Sequence, residues 1–394
     1  MDRIRLAVVV NTTGVGGAER MLARVLVRLP RDEFEVMVFS LEEIGAVGEQ
    51  LIAAGIPVRA MDFLGSRVPN PIDLITLARE LKRFQPDVVQ GWMYLGNLYG
   101  GLAAKLAQRN LPVAWNIRHS TLDPKIDSRS LRCSAWIGGK LSNVLPQRIV
   151  LCAEAARAAH EQVGYKSEKL EVIPNGFDIA EFRPDPAGRK RIREELAIAA
   201  EAPLIGIVGR FHPHKDHRTF VSAARVIADR VPNAHFVVVG EDQVFSTADL
   251  WNWIDAVGLR DRFRLTGARR DVAAIYASLD VPVCCSTTEG FPNVVGEAMA
   301  CGVSCVATDV GECAEVIGET GLIVPPQDPE RLGMGVVNLL SRSPSERAAL
   351  GQHARQQIIE RYDIRVIVER YRQLWMQLSG RTMTSENAII NRAA

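Results

Sequence analysis

The stretch Leu6-Ala-Val-Val-Val-Asn-Thr-Thr-Gly-Val-Gly-Gly-Ala-Glu-Arg20 passes from an apolar run through a glycine-rich turn into a helix. The helix is indicated by Leu22, Val25, Leu26 and Leu29, whose i, i+3, i+4, i+7 spacing places them on one face. A strand, a tight turn and a helix with one apolar face are typical of a βαβ unit. The stretch therefore predicts an α/β fold with parallel strands.

The same alternation of short β-branched runs and helix-length amphipathic segments continues through the whole chain. Such alternation is typical of doubly wound parallel sheets that are buried on both faces. The predicted strands are Leu6–Val10, Glu35–Leu41, Val88–Gln90, Val113–Arg118, Arg148–Ala153, Leu204–Gly209, His235–Gly240, Phe263–Thr266, Val281–Ser286, Ser304–Asp309 and Leu322–Pro325.

Length and composition limit the classes of protein that this chain can be. Its 394 residues suit two domains. With 47 Lys and Arg against 46 Asp and Glu, the net charge of +1 lacks the basic excess of a nucleic-acid-binding protein. No apolar run reaches the roughly 18 residues of a membrane-spanning helix. Seven cysteines without a CxxC pair favour reduced thiols in a cytoplasmic setting.

The boundary between the two domains is predicted in the proline-rich stretch 172–186, which contains Pro174-Asn-Gly176. We predict a first Rossmann-like domain over 1–172, a second over 173–362, a terminal helix over 363–380 and a flexible tail over 381–394. Two doubly wound domains joined by such a hinge are expected to face each other across a cleft. Ligands of such sheets bind at the carboxyl ends of the strands, so residues that directly follow strands are the candidates for function.

Two of the loops that follow strands carry groups suited to phosphate. The glycines of Gly14-Val-Gly-Gly17 fit either a phosphate-binding turn or a tight structural turn, and match neither common nucleotide motif. Arg210 and Lys215 share one loop after a strand and can both reach a diphosphate. The three histidines of this loop have no matching acidic cluster, so a metal site is not favoured.

The stretch Glu289-Gly-Phe-Pro-Asn-Val-Val-Gly-Glu297 runs from a loop into a helix. Free N–H groups near Asn293 and Val294 are expected to suit a leaving phosphate. Glu289 and Glu297 are placed to accept hydrogen bonds from hydroxyls of a sugar and a ribose. Alternatively, Glu289 caps the helix and Glu297 is simply exposed.

Taken together, the chain resembles a retaining glycosyltransferase of family 4, of the bacterial polysaccharide or glycolipid type. The resemblance implies the GT-B fold, with two facing Rossmann-like domains. It rests on motifs spread over nearly the whole chain: Gly14-Val-Gly-Gly-Ala-Glu-Arg20, Pro174-Asn-Gly176, Gly209-Arg210 with Lys215, Glu289 with Glu297, Ala298-Met-Ala-Cys-Gly302, and Gly311-Glu312 with Glu315.

The resemblance implies a donor site in the second domain, an acceptor site in the first, and a terminal helix that crosses back to the first domain. Glu289 is expected to act in catalysis by contacting the transferred sugar, and Glu297 to bind the ribose. The other implied contacts are Gly16, Gly17, Arg210 and Lys215 with the donor diphosphate, Gly290, Phe291, Pro292, Asn293 and Val294 with the sugar and phosphate, and Gly267, Ala268 and Arg269 with the base.

His119 directly follows the strand Val113–Arg118 and is expected to point toward the cleft. An isolated histidine there fits structural packing or a solvent position as well. Relatives in the family carry a histidine at the corresponding strand end, beside the transferred sugar. The resemblance therefore implies that His119 acts in catalysis by positioning the donor sugar and stabilising positive charge, and not as a strong base.

The family resemblance also bears on mechanism. Charge builds on the leaving diphosphate, and Arg210, Lys215 and a helix N-terminus are the positive groups expected to stabilise it. No Asp-x-Asp motif is present, so the expected reaction needs no metal or other cofactor. Relatives are thought to react on one face of the sugar, with the departing phosphate taking the proton of the acceptor.

The expected partners are a nucleotide sugar, with a UDP-sugar preferred, and a glycan or polyprenyl-linked acceptor, with no nucleic acid. The segment 125–148 has a basic, amphipathic pattern, with Lys125, Arg129, Arg132, Lys140 and Arg148 against only Asp127. It fits peripheral contact with the cytoplasmic face of an anionic membrane. A core-facing helix with a solvated basic side accounts for it equally well. Two other functions remain open: a UDP-sugar 2-epimerase of the same fold, and a non-catalytic protein that binds nucleotide sugars.

Overall fold

In the computed structural model, which describes residues 2–63, 70–124 and 127–381, the chain forms two α/β units. The first comprises Met1–Gly176 and Ile364–Ala394, and the second Phe177–Asp363. The chain leaves the first unit four residues later than predicted, because residues 173–176 pack with it. The predicted tail lies outside the described residues from 382 onward.

The first unit is built on a parallel sheet, seven-stranded within the described residues, of order β3-β2-β1-β4-β5-β6-β7. Its strands are β1 (Ile4–Val10), β2 (Phe34–Ser40), β3 (Val58–Ala60), β4 (Val88–Trp92), β5 (Val113–Ile117), β6 (Arg148–Leu151) and β7 (Leu170–Val172). Its helices before the linker, the segment 173–185 that leads into the second unit, are α1 (Gly17–Leu26), α2 (Ala46–Ala53), α3 (Pro71–Phe84), α4 (Met93–Ala107), α5 (Arg129–Leu141) and α6 (Ala155–Gln162).

Both faces of this sheet are covered, as parallel strands require. Successive side chains of β1 alternate between two cores: Leu6 and Val8 pack in the same core as the apolar face of α1, whereas Ala7 and Val9 pack with α3 and α4. The predicted apolar positions of α1 are buried. The carboxyl ends of β1, β4 and β5 consequently meet at one edge of the sheet.

The second unit has its own parallel sheet, six-stranded within the described residues, of order β10-β9-β8-β11-β12-β13. Its strands are β8 (Leu204–Val208), β9 (His235–Val239), β10 (Phe263–Leu265), β11 (Val281–Cys284), β12 (Val306–Thr308) and β13 (Leu322–Val324). Its helices are α7 (Pro186–Glu195), α8 (His217–Arg230), α9 (Thr247–Ala256), α10 (Val272–Ser278), α11 (Asn293–Ala300), α12 (Cys313–Ile317), α13 (Pro329–Ser341) and α14 (Pro344–Tyr362).

The terminal helix α15 (Ile364–Leu378) belongs to the first unit. Its apolar stripe is buried in the same core as β1 and α1. Trp375 is fully buried, with its ring edge-on to Phe34 at 6.1 Å, and its indole N–H donates to Oε1 of Gln90 over 2.9 Å. The helix thus completes one covering layer of the first sheet.

Every predicted strand is present in the structure, and the short strands β3 and β7 were missed. Both pair in parallel at the two edges of the first sheet. Each spans three residues, too few to show an alternating or continuous apolar pattern.

Candidate active site

The order of the second sheet changes direction between β8 and β11. From β8 the chain continues to β9 on one side, and from β11 to β12 on the other. The connections after β8 and β11 therefore lead to opposite sides of the sheet, and the carboxyl ends of strands at such a point are where ligands of doubly wound sheets bind. The loop after β8 carries Arg210 and Lys215, and the loop after β11 carries Glu289.

An ion pair joins these two loops. Nζ of Lys215 donates to Oε1 of Glu289 over 2.5 Å, and the side chains are only 24% and 11% exposed. Oγ of Ser286 donates to the same oxygen over 2.6 Å. The main chains are joined as well, since the N–H of Thr287 donates to the carbonyl of His214 over 2.8 Å. The sequence predicted Lys215 and Glu289 as separate ligand contacts, and the structure brings them together.

The conformation of the loop after β8 follows from its sequence. Residues Pro213–Lys215 form a single 3₁₀ turn. Asp216 then adopts a left-handed conformation with φ of 46° and caps α8, accepting a hydrogen bond from the N–H of Thr219. Aspartate tolerates this conformation better than most residues because its short side chain bonds locally. The turn directs Lys215 toward Glu289.

The charges of this pair compensate each other. Burial is the largest single effect and lowers the pKa of Lys215, but Glu289, together with Cys284 and Cys313, raises it by more in total, so the net pKa lies above its ordinary value. Lys215 is therefore cationic throughout the neutral range. A diphosphate that binds Lys215 has to compete with Glu289 for the ammonium group, which couples the two predicted contacts.

The helix after this loop, α11, begins at Asn293 with Pro292 at its N-cap. The expectation of free N–H groups here is wrong for Asn293, whose N–H donates to the carbonyl of Phe291 over 2.9 Å. Glu297 is half-buried and accepts a hydrogen bond from the hydroxyl of Tyr276 over 3.4 Å. Burial and then Glu297 raise the pKa of Tyr276 well above its ordinary value, so the tyrosine remains a donor to the carboxylate.

Gly311 lies directly behind Glu289. It has φ of +54°, and a Cβ there would overlap the main-chain oxygen of Glu289. Arg210 is exposed at the end of β8, so its guanidinium faces solvent at this edge of the sheet. The residues predicted to line the sugar and phosphate, Gly290 and Phe291, follow Glu289 directly, and the ring of Phe291 packs on Phe177 and Tyr362.

The predicted base-binding residues follow β10. Gly267 and Ala268 are exposed, but the side chain of Arg269 is already engaged. Its guanidinium makes two 2.9 Å bonds to Asp271 and also bonds Glu195, joining this loop to α7. The guanidinium therefore has a structural role, and contact with a base would fall to the main chain.

In the first unit, the glycine turn after β1 leads into α1 at Gly17, and Gly16 is the N-cap without a side-chain cap. The carboxylate of Glu19 folds back over Gly16, where it would overlap any Cβ. Burial, and to a lesser extent Glu42, raises the pKa of Glu19. An anion approaching Gly16 and Gly17 has to share the start of the helix with this carboxyl group.

His119 follows β5 after one residue, and its side chain is 27% exposed. Nε2 lies 2.7 Å from Oδ1 of the buried Asp127. Oδ2 of Asp127 accepts a hydrogen bond from the hydroxyl of Thr121 over 3.0 Å. The edge of the Tyr94 ring packs on His119, with centroids 6.4 Å apart.

Arg118, directly before His119, ties the end of β5 to other parts of the first unit. Its guanidinium donates to Oδ1 of Asn175 over 2.7 Å and to Oδ1 of Asn116 over 3.0 Å, and lies over the ring of Trp92. The hydroxyl of Tyr371 in α15 bonds both Arg118 and Asn116. The linker, the strand end and the terminal helix are thus held in one network within the first unit.

Some classes of site are not seen in the part of the chain that the structure describes. No three His, Cys, Asp or Glu side chains there are grouped to hold a metal ion. None of the described helices combines the length and the apolar character needed to cross a membrane. All seven cysteines carry free thiols, and only Cys133 is exposed.

Two family models match the chain in succession. The model described as Glycosyltransferase Family 4 matches residues 15–181, and the model described as Glycosyl transferases group 1 matches residues 202–342. Together they take in the glycine turn of the first unit and the Lys215–Glu289 pair of the second. The chain belongs to glycosyltransferase family 4. It is a transferase, as the sequence motifs predicted.

Two bacterial glycosyltransferases resemble this family 4 enzyme over nearly their whole length. The UDP-Gal:alpha-D-GlcNAc-diphosphoundecaprenol alpha-1,3-galactosyltransferase of Escherichia coli is 22% identical, over 96% of this chain and 98% of its own. The N,N'-diacetylbacillosaminyl-diphospho-undecaprenol alpha-1,3-N-acetylgalactosaminyltransferase of Campylobacter jejuni subsp. jejuni serotype O:2 is 25% identical, over 89% and 90%.

The fold of this glycosyltransferase is also found in solved structures. Anabaena Alr3699/HepE, crystallised with UDP and glucose, superposes with a TM-score of 0.82, over 95% of this chain and 100% of that one, at 21% identity. The similarity confirms the predicted GT-B fold of two Rossmann-like units.

Sequence reasoning missed several residues around the site of this glycosyltransferase. Ser286 ends the predicted strand before Glu289, and its position three residues from the glutamate was the available signal. Tyr276 lies in a helix remote in sequence from Glu297. Asp127 was counted only as one acidic residue in a basic segment, although it lies eight residues after His119. Lys125, in the same segment, lies outside the described residues.

Proposed function

We propose that this family 4 glycosyltransferase moves a sugar from a UDP-sugar to a polyprenyl-diphosphate-linked glycan during polysaccharide, lipopolysaccharide or glycolipid biosynthesis. The Lys215–Glu289 pair, at the point where the second sheet changes direction, carries the proposal. Both relatives named above act, by name, on undecaprenol-linked sugars, and the Anabaena structure holds UDP. Neither a 2-epimerase nor a non-catalytic binding protein has comparable support.

The donor binds to the second unit in this proposal. Arg210 and Lys215 contact the diphosphate, Glu289 contacts the transferred sugar, and Glu297 contacts the ribose. The main chain of residues 290–294 lines the sugar and phosphate, and that of residues 267–269 contacts the base. Glu289 releases Lys215 in part when the diphosphate binds, and its carboxylate becomes available to the sugar hydroxyls.

The transfer proceeds with retention and without a metal ion. The bond between the anomeric carbon and the diphosphate oxygen breaks, and its electron pair leaves with the diphosphate, where Arg210 and Lys215 stabilise the charge. The acceptor hydroxyl oxygen attacks the same face of the sugar, and its proton passes to the departing phosphate oxygen. In the first unit, Gly16 and Gly17 contact phosphate, and His119 contacts a substrate hydroxyl.

The acceptor brings this enzyme to the cytoplasmic face of a membrane as a peripheral protein. Helix α5 supports this step, because it buries the small residues Ser134 and Ala135 and leaves Trp136 53% exposed. Lys140 lies 5.7 Å from the centre of the Trp136 ring. An exposed indole beside a cation suits the interface between lipid headgroups and acyl chains.

A panel of UDP- and GDP-sugars tests the donor, with slow hydrolysis, transfer to a polyprenyl-diphosphate glycan and ligand-induced thermal shift as readouts. We expect turnover with a UDP-sugar, and Glu289→Gln lowers it by at least about 100-fold while UDP still raises the melting temperature. Glu194→Gln, which changes an exposed ion pair of the same unit, is the matched control. Unchanged turnover in Glu289→Gln contradicts the assignment.

Sedimentation with vesicles tests the membrane step. We expect binding to phosphatidylglycerol vesicles at low salt, loss at high salt, and weaker binding of Trp136→Ala. Val244→Ala, which removes a similarly exposed apolar side chain of the second unit, is the control. The absence of binding at low salt refutes membrane contact and leaves the donor assignment intact.

A further inference from the structure

The ring of His119 is held in one orientation by the residues around it. Asp127 meets Nε2 at 2.7 Å, and Tyr94 packs edge-on against the ring. The hydroxyl of Tyr94 lies 2.8 Å from Nε2 of His160, whose Nδ1 lies 2.7 Å from the carbonyl oxygen of Ala156. A carbonyl only accepts, so Nδ1 of His160 is the protonated nitrogen and Tyr94 donates to Nε2. The Tyr94 proton is thereby directed toward His160 and away from the His119–Asp127 pair.

The carboxylate of Asp127 is fixed on both of its oxygens. Oδ1 faces His119, and Oδ2 accepts from the hydroxyl of Thr121. The Asp127 N–H donates to the carbonyl of Asp123 over 2.7 Å, and the next residue, Ser128, caps α5. The carboxylate is only 4% exposed, whereas the His119 side chain is 27% exposed. Asp127 therefore supports His119 from the interior, and the ring remains accessible.

The position of the proton on His119 follows from this geometry. An ionised carboxylate only accepts hydrogen bonds, so the nitrogen that faces it must carry a hydrogen. With the proton on Nε2, Nδ1 of a neutral imidazole carries the lone pair and can accept a hydrogen bond. A substrate hydroxyl that reaches His119 then finds an acceptor, as the hydroxyl-rich substrates of a glycosyltransferase require.

We propose that Asp127 is a positioning residue, which holds His119 as the Nε2–H tautomer so that Nδ1 accepts a hydrogen bond from a substrate hydroxyl. The proposal rests on the proposed function for the identity of the substrate. The tautomer itself is a property of the free enzyme. Thr121 assists by orienting the carboxylate, and Asp127 touches no substrate.

The first test is the tautomer, measured by NMR on ¹⁵N-histidine-labelled enzyme near pH 8, with the His119 signals assigned from His119→Asn. We expect a protonated Nε2 and an unprotonated Nδ1. In Asp127→Asn, the amide can donate as well as accept, so the Nδ1 signal shifts toward the protonated form. Wild-type enzyme with the proton on Nδ1 overturns the proposal whether or not the enzyme is active.

The second test is kinetic. Asp127→Asn is expected to lower kcat by roughly 10- to 100-fold, the range found for partners that orient metal-ligating histidines, with the donor KM changed less than about threefold. Asp127→Glu restores part of the loss. Asp123→Asn, four residues earlier in the same turn, is the matched control and keeps wild-type kcat.

Thr121→Val covers the case in which Asp127→Asn does not fold, since it leaves the Nε2 contact in place. We expect it to lower kcat by less than Asp127→Asn does and to keep the wild-type tautomer. If an active wild type loses no turnover in Asp127→Asn, the positioning role is wrong and the proposed function stands. If no nucleotide sugar is turned over by wild type, the proposed function fails while the tautomer test still decides the role of Asp127.

Discussion

Glu289 and Gly311 lie back to back, and the main-chain oxygen of Glu289 occupies the space that a side chain at residue 311 would need. The loop after β12 therefore supports the candidate donor site from behind. Gly311 also has φ of +54°, in the left-handed region that favours glycine. A substitution at residue 311 should therefore displace Glu289 without changing any polar side chain of the site.

We predict that Gly311→Ala lowers turnover by about 100-fold, because the new Cβ pushes the main chain of Glu289 away from Lys215. Gly258→Ala is the control: its φ of +68° imposes the same backbone cost of about 1–2 kcal/mol, but no atom lies within 4 Å of its Cβ. Steady-state kinetics and thermal melting of both variants separate the two effects. Equal activity losses would show that the contact with Glu289 is unimportant.

The Lys215–Glu289 ion pair should be stronger than an exposed pair, because its side chains are largely withdrawn from solvent. A double-mutant cycle with Lys215→Met and Glu289→Gln is expected to give a coupling free energy of about 1–3 kcal/mol. The Lys190–Glu194 pair, with side chains 79% and 68% exposed, should give at most about 0.5 kcal/mol. Urea unfolding at low and high salt measures both, and similar values for the two pairs would contradict the prediction.

The same cycle has a defined pH dependence. The pKa of Lys215 is raised in the folded protein, so the folded state retains its proton more strongly than the unfolded state does. The stabilisation is therefore complete below the ordinary lysine pKa and is lost as the pH rises through the raised value. We expect the coupling measured at pH 7 and pH 9 to agree.

We predict that the side chain of Arg269 stabilises the fold and contributes little to donor affinity. The Arg269 hydrogen bonds are the main cause of the lowered pKa of Asp271, as expected for a persistent ion pair. Arg269→Ala should lower the melting temperature and change the donor KM by less than about threefold. The exposed neighbour Arg270 provides the control, since Arg270→Ala should change neither quantity. A large rise in KM for Arg269→Ala alone would place its side chain on the base.

His217 makes the second unit sensitive to acid. Burial, and then the charge of Lys215, lowers the pKa of His217 to about 4. Between pH 6.5 and 4 the unfolded chain binds a proton that the folded chain does not, so the free energy of unfolding falls as the pH falls. The loss from pH 7 to pH 4 is about 3 kcal/mol. His217→Leu should remove that much of the pH dependence, as measured by urea unfolding across this range.

The sequence predicted the strands, which depend on apolar pattern, and the loops that carry motifs. It did not predict side-chain contacts between segments that are distant in sequence. Continuous runs such as Leu204–Val208 revealed their strands because both faces of a parallel strand are buried. The sequence placed Lys215 and Glu289 in the segments that follow two predicted strands, and the structure has them there. Their direct ion pair depends on which strands are neighbours, which local pattern does not encode.

Asp127 shows the same limit over a short distance in sequence. It lies eight residues after His119, and no local pattern indicates that its carboxylate contacts the imidazole. For Arg269 the sequence predicted a ligand contact where the structure shows internal partners. Its loop does follow a strand, but its guanidinium is already bonded to Glu195 and Asp271. A motif identifies a loop more reliably than it identifies the partners of a side chain.

Because α15 belongs to the first unit but follows the second unit in the chain, it determines which unit can be completed first during synthesis. Residues 177–363 form an uninterrupted unit that has all its strands and helices before the terminal helix is translated. The first unit emerges from the ribosome first, but the ring of Phe34 and Oε1 of Gln90 gain their contacts with Trp375 only after α15 has been translated. A nascent chain that stops short of this helix leaves an apolar surface of the first unit for chaperones to recognise, even though residues 177–363 have already been translated.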